Sequence, residues 1–490
     1  MTVNPKKLRP YDEPPKRRRR WIPDAPNSAA TGFLVAAAAW VAIGTAIGLL
    51  AIGLRTFSGA TLAFPLGVFD LEFTLDATRA QHAFVNAIAY GWLSNAGFAA
   101  ICFLTPRLLG RPLAMEKAAN AALGLWNLSV AGGIASVYVF DLGAHGPYTS
   151  FPWLIDGGML LALVIVTGAF LRTTGAGIRS AYISTWYAAV ALLAFTALTA
   201  ANAAINFVEL PELTTALASA YLGRAVEAFW LLGMAVATLY YVVPRTTGGP
   251  LYSSAVAMLG WLAWLVMAPL SGLAMMLDTS VPYVITTIGG VATILLLVPA
   301  LLVVMNLLLT MRGRWTALFG TGSAAFAAVA LAFLLATALL QAIGALRSVQ
   351  AVVGGTEWEA GAFVFAALGA YTFAAFALAE HALPRLLRRE WGGGILSGAQ
   401  LWAGFGGAAL AGVALMGGGL AEGSLIGQGA TAEALAAGLL PYRLTAAAGI
   451  GLVALGGLAM VVNLFLMYTS GEPAEYAVPG QPATATAGGH

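Results

Sequence analysis

The sequence predicts an all-α integral membrane protein with about twelve transmembrane helices in three pseudo-repeated four-helix units. Two observations give the class. Hydrophobic residues make up 60% of the 490-residue chain and charged residues 9%, and apolar runs of about twenty residues, the length that crosses a bilayer core, recur along it. A Pro-Arg motif that returns at near-constant spacing gives the repeat.

Spans fall near residues 31–54, 82–105, 117–140, 153–171, 183–206, 217–243, 252–277, 283–311, 316–345, 358–383, 395–419 and 440–468. Strands of a membrane barrel would alternate apolar and polar residues over about ten positions. No such alternation occurs, so the spans are helices that close their own backbone hydrogen bonds. The 58 glycines suit close helix packing in lipid. Cys102 is the single cysteine, which excludes an internal disulfide and a cysteine metal cluster.

Basic residues set the orientation. "PKKLRP" and "KRRRR" precede the first span, and Arg107, Arg111, Lys117, Arg172, Arg179, Arg245, Arg312, Arg314, Arg385, Arg388 and Arg389 fall in loops of the same side. Both termini are therefore expected in the cytoplasm, with the chain multi-pass in the cell (inner or plasma) membrane. The opposite loops carry Asp70, Glu72, Asp76, Glu209 and Glu212. Residues 1–30 read as a basic cytoplasmic tail without signal-peptide layout, 31–470 as the membrane domain and 471–490 as a flexible tail. Arg17–Arg20 set topology or touch anionic lipid.

"CFLTPRLLGRP", "YYVVPRTTGGP" and "EHALPRLLRRE" end the second, sixth and tenth spans. Their prolines, Pro106, Pro244 and Pro384, are separated by 244 − 106 = 138 and 384 − 244 = 140 residues. A helix end that merely suits the cytoplasmic face would need no such period, so the motif reads as a threefold repeat.

The three-times-four plan, "RAQHAFVNAIAYGW" on the second span, "FPWLID" entering the fourth, "LYYVVPRTTGGPLYSS" across the sixth and seventh, and "GTEWEAGAFVF" opening the tenth together resemble subunit I of the heme-copper oxidase superfamily. Within it the chain looks most like the cbb3-type oxidases and their nitric oxide reductase relatives. The resemblance covers roughly residues 31–470 and implies a set of histidines: one each from helices two and ten on a low-spin heme, another from helix ten on a high-spin heme, and three from helices six and seven on copper. Imidazole suits both metals and is neutral at membrane depth. Carried onto this sequence, the resemblance puts His82 at the helix-two position. The copper position on the sixth span falls on Arg224, the histidine pair of the seventh on Ala274 and Met275, and the heme positions of the tenth on Ala362 and Val364. The redox tyrosine position falls on Ala268. Alanine and valine have no lone pair, and arginine does not lose its proton. The resemblance therefore implies a chain without a heme-copper centre, with no copper and at most one b-type heme on His82. His145, His381 and His490 are not placed to substitute.

Several residues carry more than one reading. His82 either binds a heme packed by Phe84 and Trp92, with Met275 and Met276 as soft alternatives nearby, or is an interfacial histidine bonded to a loop. Arg224 and Glu227, three apart on a helix face, form an ion pair in the vacated copper position, or Arg224 anchors the helix through Glu209 or Glu212. Asp156 is a proton-relay group, a structural acid bonded by Ser or Thr, or part of an outer-rim scaffold; Asn202 and Asn206 bond between helices; and Glu357 and Glu359 lie in a solvated loop or, as the resemblance implies, on a propionate-side or cation-binding rim. No nucleotide-binding, zinc or triad signature occurs, and nothing supports nucleic-acid binding.

Three function classes follow: a respiratory electron-transfer subunit working with other complex subunits or a cytochrome c-like partner; a noncatalytic scaffold for a redox partner; and an ion or small-molecule conductor that reuses empty cofactor cavities.

Overall fold

The computed structural model describes residues 22–57, 62–66, 71–139, 146–208, 210–276, 280–318, 322–392 and 394–474. The basic run before residue 22, Asp70, His145, Glu209 and His490 lie outside the described residues. The chain crosses through α1 (Ser28–Thr56), α2 (Ala77–Leu109), α3 (Glu116–Val139), α4 (Trp153–Ser180), α5 (Ile183–Phe207) and α6 (Glu212–Thr247). It returns through α7 (Ser254–Met275), α8 (Tyr283–Thr310), α9 (Ser323–Gly344), α10 (Glu357–Leu387), α11 (Gly394–Gly427) and α12 (Ala432–Ser470). Eleven of these runs are long and apolar enough to cross a membrane, and α3, at 24 residues, makes twelve. Between α1 and α2 an antiparallel hairpin, β1 (Leu62–Leu66) and β2 (Leu71–Leu75), pairs Leu62 with Leu75.

The helices outrun the spans read from hydropathy because capping, not apolarity, ends them. Asp76 accepts from the Arg79 amide at 2.8 Å and starts α2, and Gly110, at φ +63°, stops it four residues beyond Pro106. α8 has a joint at Leu296, just before Pro299, whose missing N–H interrupts the helical ladder.

Burial separates the helices into an inner and an outer set. The apolar windows of α2, α6 and α10 are 100%, 83% and 89% buried, against 39–50% for the other spans so assessed. These three are the helices that end in the repeated proline motif, and each contains a π-helical segment: Ala87–Leu93, Val226–Leu231 and Val364–Tyr371. The segments end 106 − 93, 244 − 231 and 384 − 371 residues before their prolines, 13 in every case. Such a segment widens the helix by one residue, so its return in register is a shared structural feature, not a coincidence of composition.

Side chains repeat with it. Three residues before each proline stand Phe103, Tyr241 and His381, whose rings meet edge-to-face about a common axis at centroid distances of 6.0, 6.2 and 5.8 Å. The following arginines cover this triad: Arg107 lies over the Phe103 ring at 3.7 Å, Arg245 over Tyr241 at 5.6 Å, and Arg385 donates to the His381 carbonyl. His381 is thus the third member of an aromatic ring, buried to 4% exposure.

Higher on the axis the Trp92 indole donates to Thr372 Oγ1 at 2.9 Å, and the Trp230 indole to Ser94 Oγ at 2.8 Å. The same register in the third pairing falls on Ala370 and Leu232, which can neither donate nor accept through their side chains. Outer helices brace the π segments from outside. Trp126 of α3 donates to the Tyr90 carbonyl at 2.9 Å, and Trp264 of α7 to the Ala228 carbonyl at 2.8 Å.

Candidate functional site

Arg224 stands two residues before the π segment of α6. Its Nη1 donates to Glu227 Oε2 at 3.0 Å and its Nη2 to Gln341 Oε1 of α9 at 2.9 Å. The two charged side chains are 10% and 13% exposed, so the pair lies inside the bundle and the guanidinium charge is neutralised within its own helix turn. Glu212 is exposed at the start of α6. Arg224 Nε is buried without a partner.

Arg224 also lines a narrow cleft bounded by α5 to α10. Thr337 of α9 and Tyr187 of α5 also line it, and their hydroxyls are likewise buried without a partner. Most of the remaining wall is aliphatic, and it includes no histidine, cysteine or methionine.

The other ligand positions lie apart from this cavity. Ala274 and Met275 are in a single 3-10 turn, Gly272–Met275, that closes α7, and Met275 is 37% exposed on the outside. Ala362 and Val364 are in α10 at the onset of its π segment. No cluster of three or more His, Cys, Asp or Glu side chains assembles among the described residues. Copper needs convergent nitrogen or sulfur donors, and these positions do not supply them.

His82 is partly buried in the second turn of α2. The α2 side chain that reaches α10 is Phe84, whose ring meets Phe363 edge-to-face at 5.8 Å and nests on Gly48 of α1. Two helical residues are about 200° apart, so His82 and Phe84 point to different sides of α2. It shares its side with Asn86, one turn on, which donates to Ser150 Oγ at 2.7 Å and accepts from the Tyr148 amide at 3.0 Å. Counting back 20 residues from each proline gives Asn86, Arg224 and Val364, so the residue of α2 in register with the other two is Asn86.

Tyr148 plugs the space between α2 and α6. It sits at φ +70°, a conformation strained for a non-glycine residue, and its ring lies against Gly223, where a Cβ would come within 3.1 Å. Burial pushes its phenol well above the ordinary range, and the Glu227 carboxylate adds to the effect. Asp156 of α4 accepts from Asn202 at 2.9 Å and Asn206 at 2.8 Å, both on α5. Those three polar residues bond one helix pair, and Asn206 also donates to the Phe151 carbonyl at 3.0 Å.

Glu357 corrects the expectation of a solvated loop. It is the first residue of α10 and fully buried, receives Arg443 Nε of α12 at 2.6 Å and lies 3.4 Å from Arg55 Nε of α1. Glu422 accepts from its amide at 2.8 Å. Glu359, two residues on, is exposed. Arg55 and Arg443 were invisible as partners in the sequence because 388 residues separate them, and only the fold brings α1 and α12 together.

Comparisons with known proteins agree with this architecture. A family model described as cytochrome c and quinol oxidase polypeptide I matches residues 28–452. The chain is 24% identical over 357 residues to the cbb3-type cytochrome c oxidase subunit CcoN1 of Stutzerimonas stutzeri, an overlap of 70% of this chain and 74% of that one. A heme-copper terminal oxidase dimer solved by cryo-electron microscopy superposes with a TM-score of 0.70 at 16% identity, over 93% of this chain and 86% of that chain. At that identity the superposition shows a shared fold.

Proposed function

The chain belongs to the cytochrome c and quinol oxidase polypeptide I family, as a heme-copper oxidase subunit I of cbb3-like type, and from that premise we propose that it is a membrane subunit of a respiratory electron-transfer complex that has lost the heme-copper binuclear centre. One observation carries the reading: at the family's copper position an arginine is locked to Glu227 and Gln341 in the bundle interior. A permanent cation there repels a second metal cation and offers it no lone pair. The phenylalanine pair between α2 and α10 supports the same reading for a bridging heme.

In this reading the chain lies in the cell membrane with both termini cytoplasmic. It contributes the scaffold of the complex and contacts other subunits or a cytochrome c-like protein without itself reducing oxygen. The test is elemental analysis together with a pyridine-hemochrome spectrum and oxygen and nitric oxide uptake, all on the purified full chain. Copper far below one per chain and no turnover are expected; one copper per chain refutes the proposal. If a b-type heme is found, His82→Ala decides whether His82 holds it, by loss or survival of the Soret band.

A further inference from the structure

Each four-helix unit closes the face that carries its proline motif in the same way: a polar side chain on the fourth helix accepts from the backbone amide just before the third. Thr173 of α4 accepts from Ala114 at 2.9 Å, Asn306 of α8 from Ser253 at 3.0 Å, and Asn463 of α12 from Gly392 at 3.1 Å. The clasp needs no acid, yet the third unit adds one. Asn463 Nδ2 donates to Ser397 Oγ of α11 at 3.2 Å, and Ser397 Oγ donates to Glu380 Oε1 of α10 at 3.1 Å. Four residues before the repeated prolines stand Cys102, Tyr240 and Glu380, so the carboxyl takes a register position that the other two units fill without one.

Glu380 is 8% exposed, and Ser397 and Asn463 are buried beside it. Among the described residues its carboxyl receives that single hydrogen bond and forms no ion pair. The ionisable groups nearby serve other contacts. His381, next in sequence, faces the axis, Arg107 and Arg245 lie over the triad rings, and Arg385 donates to the His381 carbonyl. Arg389 donates to the Tyr468 carbonyl at 2.6 Å, and Arg388 and Glu390 are exposed in the turn after α10. At this level α11 presents Ser397 and, one turn on, Gln400, and α12 presents Asn463; α9 has no ionisable side chain, and α1 has only Arg55 at its far end. An ionised Glu380 would therefore be one negative charge almost out of water, met by one neutral donor. Such a group takes up a proton instead, and a proton needs no cavity.

We propose that Glu380 is a proton-binding site, a neutral carboxyl that exchanges its proton with water at the face carrying the proline motifs. It lies seven residues before Leu387, the end of α10, about 10 Å at the helical rise. Losing the proton leaves a lone anion against Ser397 and weakens the tie between the inner ring and the outer pair α11 and α12. The site does not depend on whether the chain holds a metal, so it stands apart from the function proposed above.

Infrared difference spectra of the purified full chain in H2O and D2O test the site directly. Below neutral pH a neutral-carboxyl carbonyl band that moves on deuteration is expected, lost in Glu380→Gln and displaced in Ser397→Ala, which removes the one bond to its oxygen. Unfolding in mixed micelles supplies an independent measurement. The unfolded chain ionises this glutamate above about pH 4.3 while the folded chain keeps its proton, so the folded state binds more protons and loses stability as pH rises. Between about pH 5 and pH 8 the folding constant of the parent should fall, relative to that of Glu380→Gln, by up to about tenfold per pH unit, the effect of one proton. A ratio that stays flat over that range overturns the proposal, as does a spectrum in which Glu380→Gln loses no neutral-carboxyl band. A band that deuteration leaves in place overturns it too, because the proton then does not exchange. Should Glu380→Gln fail to fold, Ser397→Ala decides: a parent band that this variant does not displace belongs to another carboxyl, and the proposal falls.

Discussion

Replacing Arg224 and Glu227 singly and together tests whether the ion pair is a buried unit. Their side chains are 10% and 13% exposed at 3.0 Å, so removing one leaves the other charged and almost out of water, a loss of about 3–5 kcal/mol. Arg224→Leu also strips Gln341 Oε1 of its donor, adding about 1 kcal/mol. Glu227→Leu leaves Arg224 its bond to Gln341 and falls toward the lower end, near ~3 kcal/mol. The double variant removes both charges and restores apolar contact, so its net cost is about 1 kcal/mol, mostly Gln341. The non-additivity, the summed single losses less the double loss, is therefore about 6 kcal/mol or more. Denaturant unfolding in mixed micelles, followed by far-ultraviolet circular dichroism, measures all four proteins. A double variant whose loss equals the sum of the single losses within about 0.5 kcal/mol would mean that each charge is separately solvated, and the interior placement of Arg224 would be wrong.

Further predictions concern the scaffold. Trp126→Phe and Trp264→Phe each remove an indole N–H from a π-segment carbonyl and should cost about 1–3 kcal/mol in the same unfolding assay; a neutral effect for both would show that water replaces the indole. Glu357→Gln keeps an acceptor but removes the countercharge 2.6 Å from Arg443, which is 11% exposed, and should destabilise by about 3 kcal/mol. Arg55→Ala, on the arm 35% exposed to solvent, should cost under about 1 kcal/mol, and an equal loss in both variants would contradict the unequal burial.

How far the sequence discloses this molecule depends on the length scale of each signal. Twelve apolar runs and the proline period are legible because bilayer thickness and internal duplication write themselves into the chain directly. Ends of helices are less so: α11 and α12 run to 34 and 39 residues, past their apolar windows, and α12 continues through Pro441. The Arg224–Glu227 pair is readable from its i, i+3 spacing, but Gln341 is not, since it lies on α9. Side-chain direction is the hardest part. His82 is the lone histidine of its span, and the π segment beginning at Ala87 shifts the register between the helix start and the proline, a shift that a count along an ideal helix misses. Glu357 misleads for a related reason, because a carboxylate beside a glycine-rich turn looks solvated until α1 and α12 close over it.

The inner ring holds the fold through contacts that call on no metal. Its axis is held by the Phe103–Tyr241–His381 triad and by indole-to-hydroxyl links from α2 to α10 and from α6 to α2, none of which needs a metal. A full threefold ring would carry a third link, from α10 to α6, where the chain has Ala370 and Leu232 instead. Leu232 lines the cleft beside Arg224, and Tyr371, next to Ala370, lines both that cleft and a second one that also touches Trp230. The empty space thus lies at the corner where the repeat lacks its indole. An alanine in place of a tryptophan withdraws the largest side chain from that interface, and a leucine across from it removes the hydroxyl that would have held one. The departure from symmetry thins the side-chain contact between α6 and α10, at residues that border both clefts.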